Sequence, residues 1–249
     1  MMMLKDVMAV LDTIAPFEAA EEWDNVGLMV GDLYSSINSV LVALDPSLEV
    51  IHAAKEAGID LILTHHPLIF QPIARIDLQD VIAKKIAMLI RTQINLISMH
   101  TNLDKAPGGV ADELAKRLAL NDVRPHGYMR IGFINIPTTL NDWITALHVR
   151  NARLIDTGRD VSMVAVCPGS GMDYWKHALS LGCDTFVTGE VRYHAGLDAK
   201  EAGMNVVDLG HFGTEEIIVN PLAERLKQEL KGVAVHAHQG MDVFSPYNN

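Results

Sequence analysis

Four short apolar runs in this 249-residue chain lead directly into side chains that bind metals or move protons. Leu63-Thr64 precedes His65 and His66, Ser98-Met99 precedes His100 and Asp104, Val187-Thr188 precedes Gly189 and Glu190, and Leu209-Gly210 precedes His211 and Glu215. In open α/β sheets the ligand crevice lies outside the carboxyl ends of the strands. One histidine at such a place is most often a solvated or core residue; four clusters at the same kind of place need a shared cause. Neutral imidazole nitrogens and carboxylate oxygens suit divalent ions of intermediate hardness: zinc, manganese, iron or cobalt. The adjacent His65 and His66 leave opposite faces of an extended backbone, so a turning strand end would let each serve a different ion. Pro67 holds His66 in extended geometry. Two ions about 3.5–4 Å apart need a bridging carboxylate. Glu215 suits that role if Thr214 caps a helix that Glu215 begins, where the dipole favours negative charge. His211 and Glu215 have the spacing of one helical face, but Gly210 and Gly213 point instead to a strand, a loop and then a helix. Asp104 is expected on the loop before Pro107.

The elements that must position these groups follow from periodicity. Residues 39–45 (SVLVALD), 60–64 and 95–99 are apolar enough to be buried strands, and 48–58, 81–92 and 110–118 carry helical spacing, with Gly58 closing the first. Residues 121–139 contain Pro125, Gly127, Gly132 and Pro137 and break this rhythm. A lobe boundary is therefore placed at 125/126, giving lobes 1–125 and 126–249 with no inserted domain. Beyond it come helix 140–149, strands near 153–156 and 161–167, helix 173–181, strand 184–187, helix 195–202, strand 205–209 and a final helix from 215. Pro221 should kink that helix or restart it with Asn220 as cap. The fold class is α/β, with two similar lobes and mostly parallel sheets. An internal echo supports two like lobes: Ala54-x3-Gly58-x-Asp60-x3-Thr64 recurs 124 positions later as Ala178-x3-Gly182-x-Asp184-x3-Thr188.

Composition narrows the class of partner. The formal charge of −11 opposes nucleic-acid phosphates and anionic lipid. Cys167 and Cys183 form no CxxC pair, which disfavours a disulfide framework or a thiolate zinc site and fits a reducing compartment. The opening Met1-Met2-Met3-Leu4-Lys5-Asp6 lacks the shape of a secretory leader, and no apolar stretch has the length of a membrane span. A cytoplasmic protein is expected.

The sequence resembles the NIF-three-like dinuclear-metal family, whose members carry the label GTP cyclohydrolase I type 2 homologue. The resemblance rests on Glu22-Trp23-Asp24-Asn25-Val26-Gly27-Leu28, Thr64-His65-His66-Pro67, His100-Thr101-Asn102-Leu103-Asp104, Thr188-Gly189-Glu190 and Gly210-His211-x2-Thr214-Glu215. It implies two divalent ions per chain held in the cleft between the two α/β lobes. By motif, His65 and Asp104 would hold one ion, His66 and His211 the other, and Glu215 both. It also implies a homohexameric ring.

On this basis the leading function is a metal-dependent hydrolase acting through a metal-activated water on a small-molecule substrate, a nucleotide being one candidate. No P-loop glycine motif is present to grip phosphates. The competing function is non-catalytic metal handling or regulation. Five ligands for two ions leave coordination positions open, which favours catalysis. His100, Glu190 and His194 are candidates for orienting the ligands, and His100 or His194 could also shuttle a proton. Asp24 and Asn25 are expected to tie the strand at Gly27 to the rim, and Trp23 to pack in the core.

Overall fold

The computed structural model describes residues 2–149 and 151–245. The chain divides into two compact units, Met1–Pro107 with Ile218–Met241, and Gly108–Ile217 with Asp242–Asn249.

In the first unit, helix α1 (Leu4–Ile14) buries Leu4, Val7, Leu11 and Ile14, the three- and four-residue spacing of one helical face. The chain just before it, Met2–Met3 (β1), pairs antiparallel with Ser36–Ile37 (β3). The main sheet contains β2 (Gly27–Val30), β4 (Ser39–Ala43), β5 (Leu61–Thr64), β6 (Asn95–Ser98) and β13 (Ala234–Ala237). Their order is β13-β4-β5-β6-β2, parallel except for β2. Alternation assigns the faces. Leu41, Ala43, Ile62 and Leu96 pack with Val50, Ile51 and Ala54 of α2 (Leu48–Ala57) and Ile86 and Leu89 of α3 (Val81–Thr92). Val40, Val42, Leu61, Leu63 and Ile97 are buried on the other side. Both helices start on side-chain caps, Ser47 accepting from Val50 N and Asp80 from Ala83 N. A short helix, α4 (Thr101–Lys105), follows β6 directly, so Asp104 lies on a helical turn and not on the expected loop.

The second unit holds β7 (Asn121–His126), β8 (Met129–Thr138), β9 (Arg153–Ile155), β10 (Val161–Cys167), β11 (Thr185–Thr188) and β12 (Asn205–Asp208). The sheet order is β7-β8-β10-β11-β12-β9, with β10, β11 and β12 parallel and the remaining pairs antiparallel. One face carries Val164, Val166, Val187 and Val207 against α5 (Val110–Arg117) and α6 (Leu140–Ala146). The other carries Ala165, Cys167, Phe186 and Val206 against α7 (Trp175–Ser180) and α8 (Tyr193–Glu201).

The expected division at 125/126 falls inside the β7–β8 hairpin of the second unit. The glycines and prolines of 121–139 turn a hairpin there and do not link lobes, Gly127 sitting at φ +61 in its turn. The observed division lies at Pro107/Gly108, because α5 commits Leu114, Ala115 and Leu118 to the second core. The last helix also departs from expectation. After α9 (His211–Glu215) and a 3-10 turn (Glu216–Ile218), α10 (Val219–Glu229) starts afresh with Ile218, not Asn220, at its cap. Pro221 falls in the first turn of α10, where a missing N–H costs nothing. α10 then packs on β13 and β4 of the first sheet.

Candidate metal centre

The first unit builds its cluster on the ends of β5 and β6. Backbone N–H groups of His65 and His66 donate to Ala43 O and Leu44 O, so the ladder between β4 and β5 runs on into the histidines. Thr64 Oγ1 donates to His66 O at 2.8 Å and stiffens the turn. His65 is 2 % exposed, and its Nδ1 lies 2.9 Å from Met99 O. A carbonyl can only accept, so Nδ1 carries the proton and Nε2 presents a lone pair. That Nε2 faces Asp104 Oδ1 at 3.5 Å. Two electron-rich atoms opposed in a buried setting are what a shared cation would hold together.

The same device recurs around this atom pair. His66 Nδ1 is 2.7 Å from Asp45 Oδ1, and His100 Nδ1 is 2.8 Å from Asp24 Oδ1. Asp24 Oδ2 also accepts from Thr101 N at 3.0 Å and Thr101 Oγ1 at 2.6 Å. Burial alone would raise the Asp24 pKa, but the hydrogen bonds from His100 and Thr101 outweigh it and bring it down to about 2. The rings of His65, His66 and His100 pack with centroids 5.1–5.8 Å apart, and one ring nitrogen from each lies within 4.8 Å of the others.

The second unit builds its part on β11, β12 and α9. Glu190 Oε1 lies 2.8 Å from His211 Nδ1, and Ser170 Oγ donates to Glu190 Oε2 at 2.6 Å. Those hydrogen bonds, Ser170's first, hold the Glu190 carboxyl below its ordinary range despite partial burial. His211 Nε2 lies 2.9 Å from Glu215 Oε2, an i, i+4 pair on α9. Glu215 is therefore the last residue of a one-turn helix capped by Gly210, and not the first residue of one capped by Thr214. Thr214 Oγ1 instead accepts from Gly169 N at 3.0 Å. Gly169 is indispensable there: at φ +57, a Cβ would come within 2.2 Å of Glu215 Oε1.

These donors fit divalent metal. In all four histidines Nδ1 is fixed by a carbonyl or carboxylate, the arrangement that orients metal-binding imidazoles and sets their tautomer. Among the expected site residues, the first unit brings together His65, His66, His100 and Asp104, and the second His211, Glu215 and Glu190. His194 stands apart: exposed on α8, it has its ring beside Tyr193 at 5.4 Å. Trp23 is not in the core; it is 60 % exposed, edge-on to Phe70 at 6.0 Å. Sequence reasoning missed Asp45, the Met99 carbonyl and Ser170 as partners of the histidines and Glu190. Asp45 was within reach of the strand-end rule, since it follows β4 as His65 follows β5.

A pair of α/β units with imidazoles and carboxylates at the carboxyl ends of parallel strands defines a class of candidate metal-binding proteins. A GTP cyclohydrolase 1 type 2 homolog of Clostridium perfringens is 38% identical over 243 residues, covering 92% of this chain and 93% of the relative. One of the same description from Methanocaldococcus jannaschii is 33% identical, covering 92% and 96%. Among solved structures, Staphylococcus aureus protein SA1388 superposes with a TM-score of 0.93 at 29% identity, covering 99% of both chains. Reduced HcgD from Methanocaldococcus jannaschii gives 0.83 at 32%, covering 95% and 97%. The chain matches Duf34/NIF3 (NGG1p interacting factor 3) over residues 2–242 and belongs to that family.

Proposed function

We propose that this chain is a dinuclear metal-dependent hydrolase, with His65, His66, Asp104, His211 and Glu215 holding two divalent ions and Glu215 bridging them. The observation that carries the reading is the common fixing of Nδ1, which in the proposed ligands His65, His66 and His211 leaves Nε2 to face the ions. Zinc, manganese, iron and cobalt all suit this set. Bound ions of this kind lower the pKa of water toward about 7 and polarise an electrophilic oxygen. The chain's own part is to hold donors still. Asp45, Asp24 and Glu190 orient imidazoles, Ser170 steadies Glu190, and Gly169 leaves room for Glu215. The relatives' description directs attention to a small-molecule substrate with GTP-like chemistry. A homohexamer is part of the same proposal and rests on the family resemblance, and a cytoplasmic location rests on the cysteine usage.

His100 supports a second reading. Its nitrogen lies within 4.8 Å of those of His65 and His66, so the first unit offers a third imidazole where five-ligand bookkeeping left open positions. A fuller coordination shell suits metal storage or delivery better than turnover. Metal analysis of the purified protein, with a hydrolytic screen against nucleotides and phosphodiesters after stripping and restoring metal, separates the two. We expect close to two ions per chain, their loss in Glu215→Ala, and hydrolysis that returns with metal. Full occupancy with no hydrolysis across the screen would favour metal handling, and a protein that holds no metal would end both readings.

A further inference from the structure

The motif around Trp23 leaves its most conspicuous side chain unused. Trp143 and Trp175 are each 6 % exposed, whereas Trp23 is 60 % exposed and Phe70 beside it 43 %. Large apolar rings left in water are informative, because burial is the default for them. The two rings meet edge to face at 66° with centroids 6.0 Å apart, a corner whose outer faces remain in water. Phe70 in turn meets the ring of His100 edge-on, at 6.3 Å and 83°.

The corner is held by the residues that hold the cluster. Asp24, next to Trp23, receives His100 Nδ1 and the Thr101 amide and hydroxyl. Glu21 N donates to Thr101 Oγ1 at 3.0 Å, Asp24 N to Glu21 O at 3.0 Å, and Lys105 pairs with Glu21 at 2.9 Å. Asn25 Nδ2 donates to Ile69 O and so fixes the chain just before Phe70. One frame therefore places two solvent-facing aromatic rings and one imidazole in fixed relation, the preorganisation that a binding site requires.

We propose that Trp23 and Phe70 seat a flat heteroaromatic ring whose rim, bearing nitrogen or oxygen donors, is directed toward His100. A ring lying on one aromatic face meets the other edge-on, the two geometries that aromatic quadrupoles favour. Phe70 touches the ring of Trp23 and, at 6.3 Å, that of His100, so a ring seated on the pair is one side chain away from the imidazoles. Saturated ligands bury apolar surface there too but lack the ring quadrupole that favours these two geometries. The rim's destination rests on the metal reading above; the seat for the ring does not, and is tested without metal.

Guanosine offers a flat heteroaromatic ring with rim donors and no phosphate, and ribose, which lacks the base, is its control. Binding of each is measured by equilibrium dialysis and by Trp23 fluorescence on the full-length protein, both metal-loaded and metal-stripped. Guanosine should bind and ribose should not. Trp23→Ala should weaken guanosine on the order of tenfold or more, as loss of one stacking partner does. Trp23→Phe should recover most of that loss, and metal content should stay unchanged in both variants. If wild-type protein binds guanosine but retains no metal, the ring seat stands and the metal reading falls. The inference is overturned if guanosine fails to bind wild type or binds Trp23→Ala equally well. It is also overturned if acrylamide quenching shows Trp23 covered by self-association at working concentration.

Discussion

The two units build nearly the same sheet and decorate it differently. In each, three parallel strands form the middle (β4, β5, β6 and β10, β11, β12), and a strand antiparallel to the third follows at the edge (β2 and β9). The echo noted in the sequence occupies equivalent places. Asp60 accepts from the amides of Asn38 and Ser39 at the start of β4, and Asp184 from those of Ser162 and Met163 near the start of β10. Asn95 and Asn205 each accept from the edge segment, through Asp32 N and Thr157 N. What differs is the carboxyl end. The first unit continues β5 into His65-His66 and β6 into His100, and the second continues β11 into Gly189-Glu190 and β12 into Gly210-His211. The frame is set by hydrogen-bonded aspartates and asparagines at one end of the strands, so the opposite end is free to carry imidazoles in one copy and mainly carboxylates in the other.

The largest test of this likeness is the aspartate pair. Asp184 is buried and takes two amides and the Thr185 hydroxyl, whereas Asp60 is less covered. Asp184→Ala should cost about 3 kcal/mol and Asp60→Ala about 2 kcal/mol in urea unfolding; negligible effects at either site would break the equivalence. Next come the carboxylates that hold histidines. Asp24 is enclosed, its side chain 0 % exposed, whereas that of Glu190 is 54 % exposed. Asp24→Asn should lose about 2 kcal/mol at pH 7. The folded pKa of Asp24 is depressed to about 2 from 3.8, so its contribution is present above the unfolded value and disappears as pH falls between them. The stability gap to wild type should therefore close by about pH 2. Glu190→Gln should stay within about 0.5 kcal/mol, because solvent screens it.

A smaller and more even effect is expected at the helix ends. Gly58 and Gly182 adopt φ +66 and +92 with no neighbouring atom where a Cβ would stand, so alanine meets only backbone strain. Each substitution should cost about 1 kcal/mol, and equal costs would sharpen the comparison. The smallest effect concerns Cys183. Burial first, and Asp184 second, push its thiol up to about 11. Folded protein should resist iodoacetamide at Cys183 at pH 8, as peptide mapping would show.

Much of this was visible in the residues. The helix at 81–92 and the strand at 161–167 have the expected bounds, because each is a strongly patterned apolar segment. The strand-end histidines and Glu190 were legible for the same reason. Long-range choices were not. β7 is exposed throughout and contains Pro125, so nothing in its composition marks it as a strand; it exists because β8 pairs with it. Asp24 lies 76 residues from His100, and Asp45 lies 21 from His66. Trp23 looked like core because its type usually is, and only its surroundings show otherwise.

β13 joins the first sheet by pairing in parallel with β4, although about 190 residues separate them in the chain. Every helix and main-sheet strand of the second unit lies within Gly108–Ile217. During synthesis on the ribosome, that middle stretch is therefore complete while the earlier-made portion still waits, its β4 flank unzipped, for the closing strip to emerge. Vectorial translation thus inverts the order of maturation: what is made first is finished last.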